Sequence, residues 1–451
     1  MSYVPNTARD QRLMLEAIGA PDLDSLFADI PAGVRDPELD LPPALSEMDV
    51  VDHLQDLANR NRDLTQQISF LGGGWYDHYV PAFVDQLLLR SEYYTAYTPY
   101  QPEVSQGTLQ TIYEFQSFIC DLTGLDVANA SMYDGGSALA EAMALALNVT
   151  RRSRVLVADT VDPNYRRIAE TYLEPLDASC EVVRNWNLAA GGALGEDMRP
   201  FTVAIDETTA CVVIQRPNFF GWLEDVGEVV AAAHAAGALV IVVADPVTLG
   251  VLRPPGEICA DIAVGELRHL AGPPSFGGPG AGYFATTSEH VRRVPGRIVG
   301  RTTDGQGRPG YVLTLQTREQ HIRRERASSN ICTNEALIAL AATIHLAGLG
   351  RNGLRHLAEL SIRHAHAAIE SEWPTGYAVA TERPLVREFP VHCPAPAVEI
   401  NAQLREQDII GGLDLGNEWP ELSDYLLCAF TEKTGPAAIA ALHEALPAAA
   451  R

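Results

Sequence analysis

The sequence predicts an α/β protein: a large domain on a mostly parallel sheet, a smaller C-terminal α+β domain and an N-terminal helical arm. Three observations predict it. Residues 155–158, 211–215, 239–244 and 283–286 are apolar runs without polar alternation, the pattern of strands buried on both faces of a parallel sheet. An alanine-rich helical stretch, 226–236, separates the second run from the third, and strands alternating with helices build a sheet covered by helices. Before residue 60 and beyond residue 346 the signals become shorter and more varied.

In the arm, Thr7 and Asp10 are placed to cap a helix over 9–18 that Gly19 ends, and Ser46 with Asp49 resembles a capping box for a helix over 50–59. Pro31, Pro37, Pro42 and Pro43 punctuate the joints. In the large domain, Leu109, Ile112, Phe115, Ile119 and Leu122 recur at helical spacing, with Gly124 as the stop. A long Ala/Leu helix is expected over 335–346, capped by Thr333 or Asn334 and followed by Gly348, and a second over 357–370. The expected boundaries are 1–60 for the arm, 61–334 for the large domain and 335–451 for the small one.

Composition excludes several classes. Of 451 residues, 47% are hydrophobic and 20% charged, too apolar for a disordered chain. A net charge of -25 argues against nucleic acid or an anionic membrane as partner, because both are bound by clustered cations. The seven cysteines are scattered, with none of the close spacings of zinc or redox sites, and no metal site is expected. Free thiols and the lack of an apolar leader or membrane-length run point to the cytoplasm. Among the 33 basic residues there is a single lysine, Lys433.

Four segments could carry chemistry. Residues 93–110 hold four tyrosines with amides and hydroxyls, and Pro99 and Pro102 impose extended backbone, so an ordered loop is expected there. Such a loop is either a rigid surface feature or a wall of a polar pocket. Residues 71–81 carry three consecutive glycines but lack the Lys and Ser/Thr of a phosphate loop, and His78 reads as structural. Residues 265–284 carry a second glycine cluster. Residues 318–334 carry Arg318, Arg323, Arg324 and Arg326, able to receive an anion or to pair with Glu319 and Glu325 on a solvated face. Asp245 follows the 239–244 strand at its C-terminal end, where open α/β sheets collect ligands. His364 and His366 are two apart in a helix, on different faces. No Ser-His-Asp signature and no dinucleotide fingerprint is present.

Three strings decide the matter: SEYYTAYTPYQPEVSQGTLQTIYEFQSFICDLTGLDVANASMYDG at 91–135, PSFGGPGAGYFAT at 274–286, and PGRIVG with LTLQTREQHIRRERASSNICTNEAL between 295 and 337. With them the chain resembles the P-protein of the glycine cleavage system, over about residues 10–440, and more narrowly the α subunit (subunit 1) of its two-subunit form. The resemblance implies the aspartate-aminotransferase-like fold (fold type I) of pyridoxal-phosphate enzymes. It also implies glycine decarboxylation, with release of carbon dioxide and transfer of the aminomethyl group to the lipoyl arm of the H-protein. That chemistry needs a Schiff-base lysine. Aligning the glycine cluster with the partner subunit's places Arg268 opposite that lysine, give or take a residue, and arginine cannot form the linkage.

The resemblance therefore implies no covalently bound cofactor here, with pyridoxal phosphate on the β subunit of an α2β2 assembly. Asp245, Asp134, Gly135 and Ser137 would mark a degenerate cofactor pocket. Tyr93, Tyr94, Tyr97, Tyr100, Gln101, Glu103, Ser105 and Gln106 would complete the partner's active site, and Ser329, Asn330 and Thr333 would reach its cofactor phosphate. A structural or regulatory pseudoenzyme partner is the competing expectation.

Overall fold

The computed structural model describes residues 6–35, 37–381 and 384–447, in two compact units, Met1–Arg62 and Asp63–Arg451. The first unit contains α1 (Ala8–Ile18) and α2 (Glu47–Ala58). The Thr7 hydroxyl accepts from Asp10 N and the Asp10 carboxylate accepts from Thr7 N, a full capping box, and Gly19 closes α1 in the left-handed conformation. Ser46 accepts from Asp49 N, so α2 starts directly after its cap, three residues before the expected start. Neither helix buries a side chain.

The second unit is built on a seven-stranded sheet: β1 (Val127–Ala128), β2 (Arg154–Ala158), β3 (Ser179–Val183), β4 (Thr209–Arg216), β5 (Leu239–Ala244), β6 (Ile262–Glu266) and β7 (Gly282–Thr286). Their order is β1-β7-β6-β5-β4-β2-β3, and β7 runs antiparallel to both neighbours while β2 to β6 pair in parallel. Strands β2, β4 and β5 are almost wholly buried, as their unbroken apolar character requires.

Helices α3 (Gln106–Thr123), α4 (Gly135–Thr150), α5 (Pro163–Leu173) and α6 (Gly227–Ala236) accompany the sheet. The segment expected as a loop over 93–110 is more helical than its prolines suggest. Ser91–Tyr94 forms a helical turn, Pro102 opens a 3-10 turn, and α3 begins at Gln106. Proline at the first position of a turn starts it rather than breaking it. A hairpin of β8 (Ile298–Thr303) and β9 (Pro309–Thr314) lies against this region, where Gln106 Nε2 donates to Tyr311 O and its Oε1 accepts from Tyr311 N.

The two helices expected over 335–370 form one element, α7 (Ala336–Glu370), interrupted by non-helical backbone at Gly350. Gly348 is not a stop. It remains within the helix, and a Cβ there would lie 2.2 Å from the Phe83 ring, so glycine is required for packing. By length and mean hydropathy α7 could cross a membrane, but Ala339, Ala342, Leu346, Leu354, Leu357 and Ala358 belong to a core shared with Phe115 and Ile119 of α3.

Beyond α7, four short antiparallel strands, β10 (Ala378–Val379), β11 (Glu388–His392), β12 (Leu413–Asp414) and β13 (Tyr425–Ala429), form a second sheet in the order β10-β11-β13-β12. Helices α8 (Ala397–Arg405) and α9 (Pro436–Ala445) share its core, which includes Phe389, Leu427, Ile400 and Leu442.

Candidate functional site

The C-terminal ends of β5 and β6 and the N-terminal end of α5 (Asp162, Tyr165) meet β11 around a cavity of about 40 Å³, room for only about three water molecules. Asp245 directly follows β5, as the sequence placed it. Its carboxylate forms an ion pair with Arg387 Nη2 at 2.5 Å and lies 3.1 Å from His269 Nε2. Burial would push the Asp245 carboxyl up, but Arg387 and His269 hold it well below the ordinary carboxylate range.

Arg387, next to β11, is fully buried and stacks over the Tyr76 ring at 3.4 Å. Its Nη1 donates to His78 Nε2 at 2.7 Å, and His78 Nδ1 in turn donates to Glu432 at 2.7 Å. That tautomer is neutral imidazole, consistent with burial lowering the His78 pKa to about 4. Tyr76 donates its hydroxyl to Glu388, whose other oxygen accepts from Gly73 N. Burial nevertheless raises Glu388 to about 7. Gly221 is indispensable to this wall: it has φ +81, and a Cβ there would lie 1.9 Å from the Glu388 carbonyl oxygen.

The N-terminus of α4 is capped from within. Asp134 accepts from Ser137 N at 2.7 Å and Ser137 Oγ accepts from Asp134 N. Gly135 N donates to the buried Glu266 carboxylate at 3.1 Å. Glu266 also accepts from the backbone of Leu267, Arg268 and Ala281 and from Arg268 Nη2. A helix N-terminus is a natural anion site, and here an internal carboxylate fills it. Gly135 lets the Tyr165 hydroxyl approach to where a Cβ would be 2.0 Å away.

Pyridoxal phosphate does not fit this arrangement. The aspartate expected to meet a pyridine nitrogen is committed to Arg387, the helix N-terminus expected to meet a phosphate is committed to Glu266, and the remaining space is far below the roughly 300 Å³ of a small-molecule pocket. Arg268, aligned with the missing lysine, turns away to pair with Glu266 and stack on Trp75 at 4.6 Å. The residue facing Asp245 is its neighbour His269. Lys433 pairs with Asp77 and does not line the cavity.

The other sequence candidates lie elsewhere. Tyr94, Tyr97 and Tyr100 are exposed, Tyr97 by 81%. Tyr93 and Ser105 are half-buried, and Gln101, Glu103 and Gln106 are exposed. Ser329 reaches Glu141 of α4, Asn330 and Thr333 are exposed, and Asn334 donates to Ala130 O and Ser131 Oγ. Neither group lines the Asp245 cavity. Sequence reasoning missed Arg387, Glu388, Tyr76 and Glu266 as parts of one site. They come from three distant segments, and only the tertiary fold assembles them.

A mostly parallel sheet, a pocket at its C-terminal edge and a second α+β layer define the fold of type I pyridoxal-phosphate enzymes. Solved structures at low identity share it: a Burkholderia pseudomallei sphingosine-1-phosphate lyase (16% identity, TM-score 0.58, 92% and 93% of the chains covered) and an Escherichia coli cysteine desulfurase (12%, 0.60, 84% and 94%). A crystal structure of glycine decarboxylase (P-protein) of the glycine cleavage system, in inhibitor-bound form, is 43% identical over 99% of both chains, with a TM-score of 0.88. Residues 1–442 match the family model described as glycine cleavage system P-protein. Two relatives are each named probable glycine dehydrogenase (decarboxylating) subunit 1. One, from Thermomicrobium roseum, is 50% identical with 99% of both chains covered, and the other, from Desulfitobacterium hafniense, is 49% identical with 96% covered. The chain belongs to the glycine cleavage system P-protein family.

Proposed function

We infer that this chain is subunit 1 of a glycine decarboxylase, the half that carries no cofactor and completes an active site borne by subunit 2. The observation that carries this reading is the self-filled pocket: Arg387 and Glu266 occupy with fixed charges the places a bound cofactor would need. In the working complex, an α2β2 assembly in the cytoplasm, pyridoxal phosphate on the partner supplies the electron sink for loss of carbon dioxide from glycine. The aminomethyl group then passes to the lipoyl arm of the H-protein.

This chain's part is to orient and enclose. The loop 93–105 presents Tyr93, Tyr94, Tyr97, Tyr100, Gln101, Glu103 and Ser105, groups that fix a small polar substrate through directional hydrogen bonds. Gln106, through its paired bonds to Tyr311, holds the loop to the β8–β9 hairpin. Ser329, Asn330 and Thr333 lie on the second segment that reaches toward the partner's cofactor phosphate. Side chains as exposed as Tyr97 would gain their enclosed setting only in the complex.

Two experiments test the reading. The isolated chain mixed with pyridoxal phosphate is expected to give no protein-bound absorbance band that borohydride bleaches, and such a band should appear once subunit 2 is added. A stable band on the isolated chain overturns the assignment. In the reconstituted complex, Tyr97→Ala or Tyr94→Ala is expected to lower turnover tenfold or more, about 1.4 kcal/mol in the barrier. Unchanged turnover with assembly intact would make this loop structural and favour a scaffold role.

A further inference from the structure

The end of α4 opposite the self-filled pocket carries a second cavity, of about 480 Å³, on which Arg151, Arg292, Arg293, Arg318, Arg323 and Arg326 converge. Three separate parts of the chain deliver them. Arg151 closes α4 in the left-handed conformation, Arg292 and Arg293 end the turn Ser288–Arg293, and the rest come from the turns between Gln316 and Arg326. A single carboxylate, that of Glu289, shares the lining.

Several arginines outside the basin are held by carboxylates: Arg154 by Glu181 and Asp206, Arg166 by Asp159 and Glu418, Arg355 by Glu359. Among the described residues, Arg151, Arg292, Arg293 and Arg323 have no carboxylate at ion-pair distance, and Arg326 has only Glu325 at 3.8 Å. In a chain of net charge -25, six converging arginines are not a product of composition.

Arg318 makes the cavity a built site rather than a surface patch. Its side chain is 8% exposed, and two of its nitrogens donate to the carbonyls of Val294 and Gly296. Its Nε is buried with no acceptor, and the neighbouring Glu319 carboxylate offsets part of its charge. Guanidinium forks match phosphate oxygens bidentately, and a cavity of this volume lies in the range of small-molecule sites.

We propose that this basin binds a linear di- or triphosphate, free or carried by a nucleotide. Five exposed arginines grip the outer oxygens, and Arg318 anchors the floor. The 16 residues of α4 span roughly 24 Å from Gly135, on Glu266 beside the Asp245 pocket, to Arg151 at the basin, so the two are distinct. Occupancy would also order the segment 316–326, which continues directly into Ser329, Asn330 and Thr333.

The test is calorimetric titration of the full chain with inorganic triphosphate and, in parallel, with a nucleoside triphosphate, at two salt concentrations matched with sodium sulfate. One saturable site per chain is expected. Arg292→Ala with Arg293→Ala should weaken it at least tenfold, whereas Arg355→Ala should not, circular dichroism confirming both folds. Tighter binding of the nucleoside triphosphate identifies a nucleotide as the source, and equal affinity identifies the phosphates alone. No saturable binding, or equal weakening in both variants, overturns the proposal. It is also overturned if triphosphate fails to bind while the double variant loses co-purification with subunit 2, because the basin is then a protein interface.

Discussion

Replacing Arg387 with alanine is expected to destabilise the chain by about 3–5 kcal/mol, the cost of leaving one member of a buried ion pair without the other. Arg387 is 2% exposed and serves Asp245, His78 and the Tyr76 ring at once. Urea unfolding of the isolated chain measures the effect. The double variant Asp245→Asn with Arg387→Met should lose less than the two single variants summed, because it removes both charges together. A loss below about 1 kcal/mol in Arg387→Ala would mean that the pocket relaxes around the deleted charge.

The second large effect concerns Glu224. Its Oε1 accepts from Thr160, Asn185 and Asn218, while Oε2 is buried with no partner. Burial raises this carboxyl from an ordinary 4.5 to about 7. Between those two values the folded chain holds a proton that the unfolded chain releases. Its contribution therefore falls as pH rises through that window and levels off above about pH 7. Glutamine keeps the three accepted bonds and cannot ionise. Glu224→Gln is thus expected to match the parent near pH 5 and to exceed it at pH 8 by up to about 3 kcal/mol. Chemical denaturation at the two pH values decides it, and equal differences at both would show that Glu224 ionises freely in the fold.

The large parallel sheet was legible in the sequence because β2, β4 and β5 are buried on both faces and so read as unbroken apolar runs. The helix α4 was not. It is buried on nearly every side, so its alanines and leucines lack the polar face that marks a helix by periodicity. Strand β3 failed for the opposite reason, being a half-exposed edge with no apolar run. Within the site, Asp245 could be placed because it follows an apolar strand, whereas Asp134, Gly135 and Ser137 were marked only by the family resemblance. Arg387 and Glu266 could not. Asp245, the partner of Arg387, lies 142 positions away, and Gly135, whose N–H Glu266 accepts, lies 131 positions away, although Glu266 also pairs with nearby Arg268.

The ion pair of Lys433 with Asp77 has a practical consequence. Amine-directed reagents meet one lysine side chain in the whole chain, two-thirds shielded and charge-paired. In a mixture with subunit 2, isotope-coded acylation or lysine cross-linking would reach one lysine side chain of this subunit. Any covalent tag from this chain's lysine would be traced to a single peptide. Mass spectrometry could then separate accidental modification of this subunit from genuine chemistry on its partner without resolving the two proteins beforehand.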